Sequence, residues 1–253
     1  MLDAILAKKK IEVAEDKARI HLRDIKRELV PGEFAMSRRI RKQPWSLIAE
    51  CKLQSPSKGR LCTKYTIEEL AKIYEKSGAT ALSVHTDAHF LGQIGDIAKI
   101  KALVTIPVLR KDFIMDEYQI YQARKAGADA ILLIARILSP AQLKEYLYTA
   151  WGLGMDCLVE VHSEADIKAT LDTPAELIGI NNRNLQNFTT NISHTLSLLQ
   201  FCDKNRTIIS ESGIHGHADT EKLKQAGVKG VLVGEGLVKA DDVAKMTQEL
   251  ACV

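Results

Sequence analysis

Residues 48–59 of the chain read Ile-Ala-Glu-Cys-Lys-Leu-Gln-Ser-Pro-Ser-Lys-Gly. The first part has the composition of a buried strand, and the second, with its serines, proline and glycine, has that of a loop. Side chains alternate between the faces of a strand, so Glu50 and Lys52 share one face while Cys51 lies on the other. Because buried charge is costly unless it is paired or used, this strand end indicates a functional site.

Similar strands recur along the chain, each followed by a helical pattern. Short β-branched and aliphatic runs predict strands at residues 47–52, 81–85, 108–111, 130–135, 157–161, 177–181, 207–211 and 230–233. Apolar periodicity predicts helices at residues 66–77, 96–103, 116–126, 140–151, 164–171, 193–201, 218–226 and 241–250. Eight βα units in succession favour an α/β fold, the (β/α)8 TIM barrel. The alternative, a doubly wound sheet, usually carries a glycine-rich loop of the GxGxxG or GxxxxGK[ST] type, and the sequence has neither.

The first part of the chain precedes this alternation. Residues 2–29 read as amphipathic helices, and Pro31-Gly32 ends them. We interpret Lys8-Lys9-Lys10 as a solvated helix face. The sequence has no linker or low-complexity tract. We therefore predict a single barrel domain over residues 1–253, of which 1–45 form an N-terminal helical extension.

Composition narrows the class of protein. The 253 residues are 46% hydrophobic and 26% charged, and the net charge of +3 comes from bases interleaved with acids, which argues against nucleic-acid binding. The five cysteines form no CxxC pair, a pattern typical of reduced thiols. No apolar run is long enough to span a bilayer, and no targeting segment is recognisable. We expect a cytoplasmic protein without membrane or nucleic-acid partners, either a monomer or a weak homo-oligomer.

In such a barrel, function lies at the C-terminal ends of the strands. The charged and amide side chains predicted there are Glu50, Lys52, Lys111, Glu160, Asn181, Arg183 and Glu211. They combine cations for anion binding with carboxylates for proton transfer. The spacing offers no metal site, since His215-Gly216-His217 is a loop pair that we interpret as solvated. Lys58, in the loop after the first strand, is also interpreted as solvated.

Glycine turns follow the last two strands. They are Ser212-Gly213 and Gly234-Glu235-Gly236. Barrels commonly bind phosphate there, because glycine lets backbone N–H groups approach the oxygens. We favour a phosphate site over the alternative of ordinary tight turns.

Two motifs are specific as a set, Ser55-Pro56-Ser57-Lys58-Gly59 and Lys111-Asp112-Phe113. Further matching segments lie at residues 5–13, 48–54, 107–110, 158–162, 178–185, 210–214 and 231–235. Together they resemble the indole-3-glycerol phosphate synthase family over nearly the whole chain. The resemblance implies a decarboxylating and dehydrating ring closure of 1-(2-carboxyphenylamino)-1-deoxyribulose 5-phosphate in tryptophan biosynthesis. It implies no metal and no organic cofactor.

The resemblance also implies roles for the strand-end residues. Lys111 is the candidate general acid for the ketone oxygen, Lys52 holds the substrate carboxylate, and Glu160 is the general base or proton relay. Glu50 and Glu211 orient the lysines. Asn181 and Ser212 fix the sugar hydroxyls. Which lysine donates in which step stays open, and we expect a neighbouring cation and a dry site to make Lys111 more acidic.

Substrate binding is assigned in the same way. The phosphate is expected at Ser55, Gly213, Gly234 and Glu235. The aryl ring is expected between Pro56, Phe90, Phe113 and Leu132, with Arg183 near the carboxylate. Three positions depart from the family's usual pattern: His85, Gln93 and Gly236. For His85 we favour a hydrogen-bonded histidine without a catalytic part over one that alters ring binding.

Three other functions compete with this interpretation. A phosphoribosylanthranilate isomerase would need an inward cysteine on the first strand, but Cys51 is out of phase with Glu50. A Schiff-base aldolase would use Lys111 or Lys52 as nucleophile. A non-catalytic phosphate-ligand sensor would lack Lys111 or Glu160, and both are present.

Overall fold

The computed structural model describes residues 2–56, 58–184 and 188–252 and contains a closed barrel of eight parallel strands. Ser57 and Leu185 of the segments quoted above lie outside these ranges. The strands are β1 Ser46–Cys51, β2 Ala81–His85, β3 Val108–Lys111, β4 Ala130–Ile134, β5 Asp156–Val161, β6 Leu177–Asn181, β7 Thr207–Glu211 and β8 Gly230–Val233. Each pairs with the next in sequence, and β8 closes on β1 with Ser46 opposite Gly230. The predicted TIM barrel is confirmed, with strand ends within one residue of the prediction.

Helices precede the barrel and alternate with its strands. They are α1 Leu2–Arg19, α2 Leu22–Arg27, α3 Ala35–Lys42, α4 Ile67–Lys76, α5 Gly95–Lys101, α6 Glu117–Lys125, α7 Pro140–Gly152, α8 Glu164–Leu171, α9 Ser193–Leu198, α10 His217–Gln225, α11 Glu235–Val238 and α12 Val243–Ala251. All the predicted helices are present. The sequence analysis did not predict α11, which has only four residues, or α3, although Met36 and Ile40 of α3 lie one turn apart. None of the helices in the described part of the chain combines the length and apolar character that a bilayer crossing requires.

The barrel has two apolar layers because its strands are buried on both faces. Ile48, Leu109 and Ile209 belong to the cluster inside the barrel. Cys51 belongs to the larger cluster between strands and helices, so the phase predicted for β1 is correct. Inward positions near the C-terminal strand ends are thereby left for polar groups.

Helix α3 closes the bottom of the barrel. Its Met36 and Ile40 are fully buried and pack in the inner cluster. The backbone N–H of Ser37 donates to Asp156 Oδ2 at the start of β5 (2.9 Å). The N-terminal extension therefore contributes to the core and is not only a cover.

Helix α1 lies at the other end, against the loops that follow β2 and β3. Its buried positions are Ile5, Lys9 and Val13, which lie one turn apart. The Lys9 ammonium contacts Asp87 Oδ2 at 2.8 Å and Asp112 Oδ1 at 3.0 Å. The prediction of a solvated lysine face is therefore wrong for Lys9, whose side chain is only 5% exposed. The helical period places it within the apolar stripe, and the two buried carboxylates stabilise its charge.

Replacing Lys9 tests whether this buried contact anchors α1. Lys9→Ala leaves Asp87 and Asp112 without one of their counter-charges, so we expect the free energy of unfolding to fall by about 3 kcal/mol. Urea denaturation measures this. Lys8→Ala is the matched control, because the Lys8 side chain is exposed and its ion pair with Glu12 is 4.0 Å long. Its effect should stay within about 0.5 kcal/mol. Equal effects of the two substitutions would contradict the anchoring role.

Candidate active site

One cavity of about 1040 Å³ opens at the C-terminal ends of the strands. All the candidate residues line it: Glu50, Lys52, Ser55, Pro56, Phe90, Lys111, Phe113, Leu132, Glu160, Asn181, Arg183, Glu211, Ser212, Gly213, Gly234 and Glu235. Of the three atypical positions, His85 and Gly236 also line the cavity. Gln93 does not, and instead its backbone and side chain donate to Asp96 at the start of α5.

Lys111 occupies the centre of the charged part of the cavity. Its ammonium donates to Glu160 Oε2 at 2.8 Å and to Glu211 Oε2 at 2.9 Å. The three residues come from β3, β5 and β7, alternate strands whose side chains share one layer of a barrel. Burial alone would lower the pKa of Lys111, but Glu160 and Glu211 raise it above the ordinary value. The expected acidification by a neighbouring cation is therefore wrong for this structure, because the immediate neighbours are carboxylates.

The two carboxylates beside Lys111 differ in proton affinity. Burial raises the pKa of Glu160, but Lys111 and His162 outweigh it and lower that pKa. Burial also raises the pKa of Glu211, and the repulsion of Glu160 adds to it, so that its pKa lies at about 7. Neighbouring groups with separated pKa values are typical of acid–base sites. Glu160 is suited to remain ionised, and Glu211 to gain or lose a proton near neutrality.

Two glycines make room for buried carboxylates. A Cβ on Gly179 of β6 would overlap Glu211 Oε1, and a Cβ on Gly234 would overlap the carboxylate of Glu50. Each glycine lies on the strand beside its carboxylate, or just after it. The absence of a side chain at these positions therefore sets where Glu211 and Glu50 lie.

A second charged group lies at the end of β1. Lys52 Nζ is 3.4 Å from Glu50 Oε1, as their shared strand face predicts. Ser83 Oγ donates to the other oxygen at 3.4 Å. Burial raises the pKa of Glu50, but His85 and Lys52 outweigh it and lower that pKa well below the ordinary value. Glu50 is therefore a fixed negative charge that orients Lys52.

The glycine turns follow β7 and β8, and the second of them lies beside the end of β1. Ser212 and Gly213 both have positive φ, 67° and 72°. The Asn182 amide donates to the Ser212 carbonyl oxygen at 2.9 Å and so braces this turn. Successive N–H groups in such turns form concave sites for anions.

Glu235, beside the second turn, is neutralised by two lysines. Lys58 Nζ lies 2.7 Å and Lys239 Nζ 2.8 Å from Glu235 Oε1. Burial would raise the pKa of Glu235, but these lysines lower it to about 2. Lys58 is half exposed, but it is more than a solvated loop residue, because it connects the loop after β1 to the turn that follows the neighbouring strand β8.

His162 is among the cavity residues that the sequence analysis did not single out. Its Nε2 lies 3.6 Å from Glu160 Oε1, and the side chain is 8% exposed. His162 follows Glu160 by two residues, the spacing that drew attention to Glu50 and Lys52, so the same rule would have found it. Among the described residues, no group of three or more His, Cys, Asp or Glu side chains is arranged to hold a metal ion.

Replacing Gly179 tests whether it seats Glu211. Gly179→Ala places a methyl group where Glu211 Oε1 lies, so either the carboxylate or the strand has to move. We expect the free energy of unfolding to fall by about 1–3 kcal/mol. Gly152→Ala at the end of α7 is the matched control, because a methyl group there would meet nothing within 4 Å. Its stability should be unchanged or raised by up to about 1 kcal/mol. A neutral Gly179→Ala would contradict the seating role.

The proton affinity of Glu211 predicts a pH-dependent effect of Glu211→Gln. Because the pKa of Glu211 rises from 4.5 to about 7 on folding, its stabilising protonated form is lost as the pH rises through that window. Glutamine mimics the neutral acid at every pH. We expect Glu211→Gln to melt a few degrees higher than wild type at about pH 8 and at nearly the same temperature at about pH 4.5. A difference in melting temperature that does not change with pH would contradict the raised pKa.

Comparisons with known proteins identify the family of the chain. Residues 2–250 match the family model described as indole-3-glycerol phosphate synthase. A relative of that name from Desulforamulus reducens is 44% identical, covering 99% of this chain and 96% of its own length. Another from Endomicrobium trichonymphae is 42% identical and covers 99% of both.

Solved structures support the fold alone. A 3-hexulose-6-phosphate synthase superposes with a TM-score of 0.67 at 16% identity, covering 82% of this chain and 98% of its own. The family match and the sequence identities to the two relatives are stronger evidence for the family than this shared fold is. The chain belongs to the indole-3-glycerol phosphate synthase family.

Proposed function

We propose that this cavity carries out the reaction of the family, with its residues in the roles described below. The reaction closes the pyrrole ring of 1-(2-carboxyphenylamino)-1-deoxyribulose 5-phosphate to give indole-3-glycerol phosphate, carbon dioxide and water. The assignment rests mainly on one observation: the Lys111 ammonium lies between the carboxylates of Glu160 and Glu211. It gives one cation and two carboxylates of different proton affinity at the floor of a cavity that is large enough for the substrate.

Ring closure needs a proton donor at the ketone. As the aryl carbon attacks the ketone carbon, negative charge develops on the oxygen, and a fixed cation stabilises it in a dry site. Lys111 supplies that charge and the proton. Its raised pKa keeps it protonated before the substrate enters. Glu211, with a pKa of about 7, is suited to exchange protons with it.

Decarboxylation needs the ring carboxylate to be held and then released. Lys52, oriented by Glu50, and Arg183 provide the cations for it. The aryl ring fits between the apolar side chains of Phe90, Phe113 and Leu132, with Pro56 on the loop above. An apolar slot stabilises a carboxylate less than neutral carbon dioxide, so it favours the loss.

Dehydration completes the pyrrole ring. Glu160 remains ionised beside Lys111 and is therefore the base, or the relay, for the proton that is lost while the hydroxyl leaves as water. Asn181 contributes to the low pKa of Glu160 through a side-chain hydrogen bond. Asn181 and Ser212 hold the sugar hydroxyls on this side of the cavity.

The phosphate binds at the turns after β7 and β8. Its ligands are the backbone N–H groups at Gly213, Gly234 and Glu235, with Ser55 from the loop after β1. Lys58 and Lys239 neutralise Glu235, so the carboxylate there does not repel the phosphate. Schiff-base chemistry at Lys111 is disfavoured, because a lysine with a raised pKa is a poor nucleophile.

We also propose a single-domain, cytoplasmic enzyme that is a monomer or a weak homo-oligomer. The ion pairs of Lys9 with Asp87 and Asp112 support one domain, since they join the extension to the barrel. The free cysteines, three of them buried, support a reducing compartment.

Removing the Lys111 ammonium tests the assignment. Purified protein is mixed with the carboxyphenylamino-deoxyribulose phosphate, and indole fluorescence is followed. We expect wild type to form the fluorescent product indole-3-glycerol phosphate. Lys111→Ala should form it at least ~100-fold more slowly, the usual loss for a general acid. Lys10→Ala, an exposed lysine on α1, is the matched control and should match wild type.

Other outcomes would change the assignment in defined ways. Equal rates for wild type and Lys111→Ala would move the acid role to Lys52. A folded wild type that binds the substrate without forming indole would contradict the function. Trapping of a substrate adduct by borohydride would favour the aldolase chemistry.

A further inference from the structure

His85 lies inside the cavity, but no role above uses it. It ends β2, between β1 on one side and β3 on the other, and is in register with Lys111 of β3. The residue is only 7% exposed and lines the cavity. A buried imidazole at the level of the central lysine, on the strand next to Glu50, is placed to influence the site.

The imidazole contacts both the charged and the aromatic parts of the mouth. His85 Nε2 lies 3.1 Å from Glu50 Oε1, the same oxygen that Lys52 Nζ approaches to 3.4 Å. The flat face of the ring stacks on Phe90, with centroids 4.2 Å apart and planes 8° from parallel. Lys52 Nζ in turn lies 5.3 Å from the centroid of Phe90. The four side chains of Glu50, Lys52, His85 and Phe90 therefore form a closed group.

Within this group His85 is held by its contacts with Glu50 and Phe90. Glu50 Oε1 lies off the direction of an Nε2–H bond, so Nε2 has no directed hydrogen bond among the described residues. Burial lowers the pKa of His85, and the ammonium groups of Lys52 and Lys111 add to this, while Glu50 opposes them. Glu50 Oε1 therefore has two close neighbours, the His85 imidazole and the Lys52 ammonium, so the position of one constrains the position of the other.

Replacing the imidazole should release its neighbours. Without Nε2, the Glu50 carboxylate would face an apolar edge, and it would move to keep its solvation. Lys52 depends on Glu50 for its ion pair and on Phe90 for its cation–π contact. Both contacts that position the Lys52 ammonium, with Glu50 and with Phe90, therefore depend on His85.

We propose that His85 is a positioning residue, which fixes Glu50 and Phe90 and, through both, the Lys52 ammonium that receives the substrate carboxylate. The inference rests on the role proposed for Lys52. Its consequence concerns specificity: His85 favours substrates whose aryl ring carries a carboxylate ortho to the nitrogen. His85 affects the reaction only through the positions of Glu50, Phe90 and Lys52.

Two ligands separate this role from a structural one. Both are substrate analogues in which the ketone is reduced to an alcohol, so they bind but cannot cyclise; one keeps the ring carboxylate and the other lacks it. Dissociation constants are measured by calorimetry for wild type, His85→Phe and His85→Gln. Phenylalanine keeps the stack on Phe90 and loses Nε2, whereas glutamine keeps a polar group that can face Glu50.

For His85→Phe we expect roughly tenfold weaker binding of the carboxylated analogue and less than about a twofold change for the other, since only the first uses Lys52. His85→Gln should recover much of the loss. Equal weakening of both analogues, or no change with either, would overturn the proposal. Thermal melting establishes that each variant is folded; if His85→Phe is not, His85→Ala, which removes both the Nε2 contact and the stack without adding bulk, carries the test with the same expected result.

The same experiment distinguishes failure of this inference from failure of the proposed function. Wild type should prefer the carboxylated analogue, and Lys52→Ala should remove that preference. If wild type shows no preference, the role of Lys52 is wrong. If the preference is present but unchanged in both His85 variants, only the role of His85 is wrong.

Discussion

The contact of one ammonium with two carboxylates organises this molecule. Lys111 and Glu160 lie inside the barrel as a pair of opposite charges, each costly there without the other, and Glu211 accepts a second hydrogen bond from the same ammonium. Because they come from alternate strands, their contact requires those strands to end at the same level. The strand register therefore determines both the closure of the barrel and the geometry of its active site. A change in register that moved any of the three residues would break their contact and leave a buried charge unpaired.

The N-terminal extension stabilises both ends of the barrel. Helix α3 inserts Met36 and Ile40 into the inner core at the bottom, while α1 places Lys9 against Asp87 and Asp112 at the mouth. Asp112 follows Lys111 directly, so the contact from α1 reaches the backbone next to the central lysine. Although the extension precedes the barrel in sequence, it is thus part of the support of the site.

Much of this arrangement could be predicted from the sequence, because period and position determine it. Alternation on β1 predicted that Glu50 and Lys52 share a face, and strand order predicted which side chains meet in the cavity. The electrostatics could not be predicted, since the pKa of Lys111 depends on which groups surround it in space. Lys9 was misinterpreted for a related reason: a lysine is buried only where partners from distant loops stabilise it, and the sequence of α1 does not contain them.

Two carboxylates of this barrel occupy space that neighbouring glycines leave open, and this restricts which segments can be exchanged between related barrels. Glu211 of β7 occupies space that Gly179 of β6 leaves, and Glu50 of β1 occupies space beside Gly234 after β8. A chimera joined between β6 and β7, or one that takes β1 and β8 from different parents, separates a carboxylate from its glycine. A chimera that keeps Glu211 or Glu50 of this chain therefore needs a partner segment with glycine at the facing position, even though every backbone hydrogen bond across the seam could form.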